Sequence, residues 1–478
     1  MEKHIIPLLA DAPPTNGYTV RNADLMSCLL TSRLFCSATI THLYRRIAIL
    51  RSDAFSKVLS NISQYPELGT LVRTLDLSHF TYVGLGRARR TNSEIQNLTA
   101  QTLLKCLELT PRLREFLVQE HLDDDISEGV VRKVFCDLPI IEGVDFCGSQ
   151  SASFRQAFAA VLSHQNTSLP SKFAIKRLSL HECNTLDESV FEVLLSRLPN
   201  LTHLDVCRTQ ITESALISIP ATARLTHLNL SKCTRLTGTV VVNFLITHPA
   251  VKDTLVYLNL LSDVSRHCIL GQHDVEKLLP RLPTTLRALN MSGAKITEEH
   301  VSLLLPLTKH LEELSVGYSE LSVDSINSLF TPPKPSTKAA DGDGCSLEEQ
   351  WEWVPPALRY LDVTGVSSIT PSNLLNKSCT LLLPASHPLE VLEMGEKFTQ
   401  TLRERDPTNR RIGWAVKELG RRSWYVRQSA ADQPGPGSSD GKQGWKMGAL
   451  WWGLRKVPVA WGEVGGLCGL YAYYMFKK

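Results

Sequence analysis

The sequence predicts an α/β solenoid, an array of short strand-plus-helix units, and three observations predict it. One phrase is repeated: Leu201-Thr-His-Leu204-Asp-Val206, Leu225-Thr-His-Leu228-Asn-Leu230 and Leu255-Val-Tyr-Leu258-Asn-Leu260. Its apolar residues stand at positions 1, 4 and 6, and the later ones alternate with polar residues as a half-buried strand requires. The phrase then runs in phase along most of the chain, with strand units starting at Val72, Leu113, Ile141, Ile175, Leu201, Leu225, Leu255, Leu286, Leu311, Leu358 and Leu389. Finally, several units carry an Ile or Leu followed by a small polar residue: Leu186-Asp187, Ile211-Thr212, Leu236-Thr237, Ile296-Thr297, Leu321-Ser322 and Ile369-Thr370. Such a residue suits the N-cap of the helix that closes each unit.

A unit of this size cannot bury its own apolar face, so the units must stack. Spacings of 24 to 34 residues between the central starts are those of leucine-rich repeats, and about eleven units make a horseshoe solenoid. The wide gaps after Val72 and Leu311 must hold insertions, near 80–100 and 331–357. The second, Thr331-Pro-Pro-Lys-Pro-Ser to Gly344, is rich in Pro, Gly and charge and reads as a disordered excursion. The first contains the basic stretch Gly84-Leu-Gly86-Arg87-Ala-Arg89-Arg90, which lacks the third glycine and the lysine that a phosphate loop needs.

Composition fits a folded chain: 43% of residues are hydrophobic and 21% charged. Of the 51 Lys and Arg, 15 lie between Glu396 and Lys478 against 7 of the 48 Asp and Glu, so that end is near +8 although the whole is only +3. The twelve cysteines form no Cys-x-x-Cys pair and no zinc-ligand cluster. Cys183 and Cys233 fall at one repeat position and read as buried thiols, which favours a reducing compartment, the cytoplasm or the nucleus. Met1-Glu-Lys-His is not followed by a signal-peptide core, so secretion is not expected. No nucleophile elbow, Walker loop or His-Glu-x-x-His stands in the chain, so the expectation is recognition without catalysis and without a cofactor or metal. Nothing in the charge balance points to nucleic acid.

Before the array, Ile5-Ile6-Pro-Leu8-Leu9 and a turn-rich segment lead to Asn22-Ala-Asp24-Leu25-Met26-Ser-Cys-Leu29-Leu30, with apolar residues at helical spacing. A second helix is expected through Phe35, Ile40 and Leu43-Tyr44. One reading of these short helices is a cap sealing the first repeat, as any solenoid needs. The other comes from a resemblance. Asp24-Leu25-Met-Ser-Cys-Leu29-Leu30-Thr-Ser-Arg33-Leu34-Phe35, followed by His42-Leu43-Tyr44-Arg45-Arg46-Ile47, resembles the second half of an F-box in fungal F-box/leucine-rich-repeat proteins. The cysteine near position 9 and the Ile/Leu-Thr turn resemble their cysteine-containing repeat subclass. The opening Leu-Pro helix of an F-box is not present, and Ile5 to Leu9 stands where its last turn would be. The resemblance implies a substrate receptor of an SCF-type, cullin-RING ubiquitin ligase. It would bind a Skp-type adaptor, and through it a cullin, with Leu25, Leu29, Leu30, Phe35, Leu43 and Tyr44 as apolar contacts or supporting core.

Strand positions 3, 5 and 7 face the concave side. Position 5 is a polar, partly acidic ladder, and with its neighbours it offers His181, His203, Asp205, His227, Asn229, Tyr257, Asn259 and Asn290 to a protein target, with a preference for a basic or mixed partner. The chain divides into a partial F-box-like element (1–50), the solenoid (51–395), a helical C-terminal cap (396–430), a linker (431–444) and a Trp/Gly-rich basic tail (445–478).

All eight tryptophans lie beyond residue 350, and the tail places Trp445, Trp451 and Trp452 beside Arg455 and Lys456. The apolar run from Val457 to Phe476 approaches bilayer length, but Pro458, Glu463 and four glycines oppose a spanning helix. An ordered cap or partner-binding strand pair, a peripheral membrane contact and a tail anchor are the readings the tail allows. The alternative to the ligase receptor is therefore an adaptor-independent repeat scaffold, peripheral to a membrane, in a cell-surface or morphogenesis pathway.

Overall fold

Each phrase becomes one three-residue strand over positions 3 to 5, the residues that pair in register with the neighbouring repeats. The computed structural model describes residues 18–49, 52–77, 97–118, 120–163, 165–332, 354–376, 379–404, 412–419 and 422–428. They fall into two compact units divided between Leu255 and Val256.

In the first unit the strands are β1 (Arg46–Ala48), β2 (Thr74–Asp76), β3 (Glu115–Leu117), β4 (Gly143–Asp145), β5 (Arg177–Ser179), β6 (His203–Asp205) and β7 (His227–Asn229). Each pairs parallel with the next, position 3 opposite position 3 and position 5 opposite position 5. In the second unit β8 (Tyr257–Asn259), β9 (Ala288–Asn290), β10 (Glu313–Ser315), β11 (Tyr360–Asp362) and β12 (Val391–Glu393) pair in the same way. The eleven strand units expected from the sequence all appear at their expected positions. A twelfth strand, β1, precedes them inside the stretch expected to be only helical, with Tyr44-Arg-Arg46-Ile47-Ala48 as its degenerate phrase. Each unit is a stack of leucine-rich repeats.

The core is the set of position 1, 4 and 6 side chains. Leu201, Leu204, Val206, Leu225, Leu228 and Leu230 in the first unit, and Leu255, Leu258 and Leu260 of the boundary phrase, are almost wholly removed from solvent. Burial of each such side chain contributes about 1.5–3 kcal/mol. Phe116, Phe135, Phe146, Phe154 and Phe158 add an aromatic cluster of edge-to-face, stacked and tilted pairs in the first unit, with ring centroids 4.5 to 6.5 Å apart. The six residues expected to cap helices, Asp187, Thr212, Thr237, Thr297, Ser322 and Thr370, each occupy an N-cap. Thr212, Ser322 and Thr370 accept the N–H three residues on.

Past the strand a common device turns the chain. At position 8 the residue adopts a left-handed backbone: Gly148, Glu182, Arg208, Lys232, Gly293, Tyr318 and Gly365 all have φ between 54° and 82°. At Gly293 a Cβ would also stand 2.6 Å from the Ser262 carbonyl oxygen, so only glycine fits there. Cys183 and Cys233, one residue further, are buried and donate their S–H to the position-6 carbonyls of Phe146 and Val206 in the preceding repeat, at 3.1 and 3.0 Å. Burial pushes both thiols up, away from reactivity. All ten described cysteines are free.

The C-terminal end of the second unit differs from expectation. Among the described residues of 396–430, Glu396–Glu404 is helical, while Trp414–Leu419 (β13) and Arg422–Arg427 (β14) form an antiparallel hairpin, and β14 pairs antiparallel with β12. The described part of the expected helical cap over 396–430 is thus part helix and part hairpin. An aromatic-rich Trp424-Tyr425-Val426 run is a strand former, and here it covers the open edge of β12. Trp414, Trp424 and Tyr425 are fully buried, and the indole N–H groups of Trp414 and Trp424 donate to the Leu382 carbonyl and to Glu393 Oε2, each at 3.0 Å.

Candidate partner-binding surfaces

Among the described residues, two short helices precede β1: Tyr18–Leu29 and Arg33–Arg45. They pack on each other, and the second is capped by Ser32, whose hydroxyl accepts from Phe35 N at 3.2 Å. It runs straight into β1, and Arg73 N donates to Arg45 O at 2.8 Å, so the pair is fixed to the first repeats. Leu25 is wholly buried and belongs to the supporting core. Leu29, Phe35, Leu43 and Tyr44 are half-buried. Leu30 is 83% exposed, and beside it the same turn exposes Leu34 (63%) and Met26 (46%). Those last two were absent from the sequence-derived set. They could have been found by taking the apolar residues left over once the core stripe of each helix is assigned. Ile5 to Leu9 lies outside the described residues.

On the strand face the expected contact residues separate into two groups. Position 5 is directed inward. Parallel pairing leaves the N–H of position 7 without a partner on the next strand, and the position-5 side chain supplies one. Asp145, Asp205 and Asn229 accept from Cys147 N, Cys207 N and Ser231 N at 2.7, 2.9 and 3.1 Å. In the second unit Asn259, Asn290 and Asp362 accept from Leu261 N, Ser292 N and Thr364 N at 3.1, 2.9 and 2.9 Å. Asp205 goes further: its Oδ1 also takes His181 Nδ1 at 3.1 Å, and its Oδ2 takes Asn229 Nδ2 at 2.5 Å. Burial opposes charge on His181, but Cys207 and Asp205 outweigh it and hold the imidazole above its usual range. Burial pushes the carboxyl of Asp145 well up, toward the neutral acid. Asp205, Asn229, Asn259 and Asn290 were expected to contact a target; they are buried and engaged with their own chain instead. The reason is general, since a buried polar group must be hydrogen-bonded and the nearest donor is two residues away.

Position 3 is arranged differently. In the first unit it reads Thr74, Glu115, Gly143, Arg177, His203 and His227 across adjacent strands. Glu115 and Arg177 form an ion pair across the intervening strand, over Gly143. A Cβ on Gly143 would lie 3.3 Å from Glu115 Cγ and 3.4 Å from an Arg177 nitrogen, so the missing side chain opens the path between them. His203 and His227 stack with ring centroids 4.1 Å apart and planes 7° apart. Sequence reasoning singled out the histidines but not Glu115, Gly143 or Arg177, although reading position 3 down the register would have found all of them. In the second unit Tyr257 is buried, and its hydroxyl oxygen accepts from Asn259 Nδ2 at 3.3 Å. Glu313 is buried with Oε2 unpartnered, and burial followed by the Glu312 charge pushes its carboxyl well up.

The charges of the first unit's face are largely matched internally, through Arg46 and Asp76 at 3.3 Å, Arg177 and Glu115, and His181 and Asp205. The expected preference for a basic partner loses its basis there. Among the described residues no His, Cys, Asp or Glu group is arranged to hold a metal ion, and no helix is long and apolar enough to cross a membrane. Trp445, Trp451, Trp452, Arg455 and Lys456 lie outside the described residues, as do the basic stretch 84–90 and the insertion 333–353.

No protein-family model matches the chain. Over 429 residues, 82% of its length, the chain is 30% identical to an F-box protein of Saccharomyces cerevisiae, of which it spans 52%, about half. Over 67 residues, 13% of the chain and 10% of that protein, it is 39% identical to F-box/LRR-repeat protein 5 of Danio rerio. Among solved structures it is similar to a chain of the yeast Rad7 and Elc1 complex (14% identity, 79% of this chain and 96% of that one, TM-score 0.38). It is also similar to the leucine-rich repeat-containing protein LegL7 of Legionella pneumophila (13% identity, 72% of this chain and 93% of that one, TM-score 0.34).

Proposed function

We propose that this relative of the fungal F-box/leucine-rich-repeat proteins is a non-enzymatic substrate receptor of an SCF-type, cullin-RING ubiquitin ligase. The helix pair docks a Skp-type adaptor, which brings the cullin, and the strand face holds a protein target. The observation that carries the reading is the exposed apolar turn. Met26, Leu30 and Leu34 stand in water at the junction of two helices anchored to the first strand, and clustered exposed apolar groups mark interaction sites. An adaptor that covers them gains apolar burial without disturbing the core beneath, where Leu25 and Thr39 are already closed off.

Capture of the full chain on an immobilised Skp-type adaptor tests this. The wild-type chain is retained, and the Leu30→Asp, Leu34→Asp double variant loses retention at least about tenfold while its melting temperature stays put. No retention of the wild-type chain, or equal retention of the variant, overturns the proposal in favour of an adaptor-independent scaffold.

A further inference from the structure

Position 2, the residue just before each strand of the first unit, reads Arg45, Arg73, Arg114, Glu142, Lys176, Thr202 and Thr226. These residues form a register of their own, because each N–H donates to the position-2 carbonyl of the preceding repeat. Arg73 N meets Arg45 O at 2.8 Å, Arg114 N meets Arg73 O at 2.7 Å, and Glu142 N meets Arg114 O at 2.7 Å. Strands lie about 4.8 Å apart, so the three arginines fall within about 10 Å of one another along the row. Like charges on directly opposite residues destabilise a sheet, so the fold itself gains nothing from this run.

The two ends of the row differ. Its threonines are spent on their own chain: Thr202 Oγ1 donates to Lys176 O at 2.9 Å and Thr226 Oγ1 to Thr202 O at 3.1 Å. Each also meets Nδ1 of the histidine that follows, at 2.9 and 3.0 Å. Those histidines bring no charge at neutral pH: burial, with His227 and Arg177 adding, lowers His203 to about 2, and burial lowers His227 to about 4. The arginine end is unmatched. At position 3, Arg46 and Arg177 each have a carboxylate, Asp76 and Glu115. At position 2 a single oxygen of Glu142 serves both Arg114 at 3.6 Å and Lys176 at 3.3 Å. Arg73 donates only to the backbone carbonyls of Thr70 and Val72, at 2.7 and 3.1 Å. Burial, and then the charges of Arg112, Arg114 and Arg45, push its guanidinium down. Arg45, Arg112 and Arg114 are exposed, and among the described residues no ion pair holds Arg45 or Arg112.

We propose that Arg45, Arg73, Arg112 and Arg114 form a docking row for an acidic segment of a partner protein, an extended stretch whose Asp and Glu carboxylates take the guanidinium forks one by one. This rests on the reading that the strand face holds a target, and it names the charge class of that target. The geometry decides among anions. A phosphate group is best held where several donors converge on one point, whereas these guanidinia are strung along a line and part of Arg73 is spent on its own loop. An extended chain rises about 3.3 Å per residue, so a stretch of about four residues laid along the row spans it, with one carboxylate near each exposed fork. Nucleic acid and anionic membranes are held by broader basic surfaces, and this row meets an acid, Glu142, after three places. The row is also separate from the adaptor contact. Arg45 ends the helix that Leu34 begins, eleven residues or about 16 Å away along its axis.

Fluorescence anisotropy of labelled peptides with the full-length protein tests the row. A peptide of about twelve residues alternating Asp or Glu with Gly or Ser is expected to bind, and its Asn/Gln counterpart to bind at least about tenfold more weakly. The Arg45→Gln, Arg112→Gln, Arg114→Gln variant should lose about tenfold in affinity for the acidic peptide while its melting temperature holds, since these side chains are exposed and repel one another. The basic stretch supplies the control: Arg87→Gln, Arg89→Gln, Arg90→Gln should bind the acidic peptide as the wild type does. Equal losses in the two variants would mean attraction by overall charge and overturn the row, as would no binding of the acidic peptide at all. A phosphoserine peptide of equal charge, single-stranded RNA or phosphatidylserine vesicles held more tightly through the same three arginines would overturn the choice of partner. The Leu30→Asp, Leu34→Asp variant should bind the acidic peptide unchanged, so this result and the adaptor test succeed or fail separately.

Discussion

Two rows of one strand face, position 3 and position 5, have similar polar letters and opposite fates. Position 5 is bound to its own backbone: Asp205, Asn229, Asn259 and Asn290 each accept the N–H two residues on, and in the repeats of Asp205, Asn229 and Asn290 this turn leads to the left-handed residue at position 8. In the first unit position 3 has no such duty, and its side chains meet each other, as an ion pair and a ring stack. The difference teaches that on an open strand face a polar residue near the strand's end is structural by default. A residue at its start is the one free to recognise something.

The sharpest way to break this comparison is Asp205→Ala. It removes one acceptor for Cys207 N, one for Asn229 and the counter-charge of His181 together, so a loss of about 3–5 kcal/mol is expected. Urea unfolding with hydrogen exchange resolved for the first unit measures it; a loss below 1 kcal/mol would make position 5 a surface after all. Next comes the acid limb. The folded values of about 2 for His203 and about 4 for His227 lie below the unfolded one near 6.5, so only the unfolded chain takes up protons as pH falls. Their contribution is complete well above pH 6.5 and is lost as pH drops toward the folded values, about 2 kcal/mol each by pH 5 relative to that plateau. Asp145, held up by burial, acts oppositely, lending stability at low pH that is lost as pH rises through its folded value. The readout is therefore the difference between wild type and His203→Phe, His227→Phe, which should lose about 3 kcal/mol of pH dependence between pH 6.5 and 5.

Smaller effects sharpen the contrast. Asn290→Ala leaves Ser292 N without its acceptor in the second unit and should cost about 1–2 kcal/mol, read by urea unfolding with exchange resolved at Ser292. Gly143→Ala crowds the long ends of Glu115 and Arg177, which can swing aside, so it should cost under about 1 kcal/mol. A structure of the variant would show the ion pair displaced; an ion pair kept intact would mean that Gly143 is not what opens the path.

Much was legible from residues alone. The 1-4-6 phrase located each of eleven strands to the residue, because apolar period and burial are the same fact in a repeat stack. The N-cap threonines and the buried Cys183 and Cys233 followed from their place in the phrase. The hairpin at 414–427 was missed because Arg421-Arg422-Ser-Trp424-Tyr425 carries no apolar period of its own; it is a strand only because β12 offers an unpaired edge. Met26 and Leu34 were missed for a related reason, since a helix sequence shows an apolar residue but not whether anything covers it.

By itself, then, the sequence determined the repeat, its register and the face each side chain occupies. All of these depend on periodicity, which is local and additive along the chain. The tertiary structure alone decided which polar residues of that face were already satisfied. Hydrogen bonds are made between atoms brought together from different repeats, as at His181, Asp205 and Asn229. Whether His203 Nε2 keeps a free lone pair depends on a threonine hydroxyl that must first satisfy the Lys176 carbonyl of the neighbouring repeat.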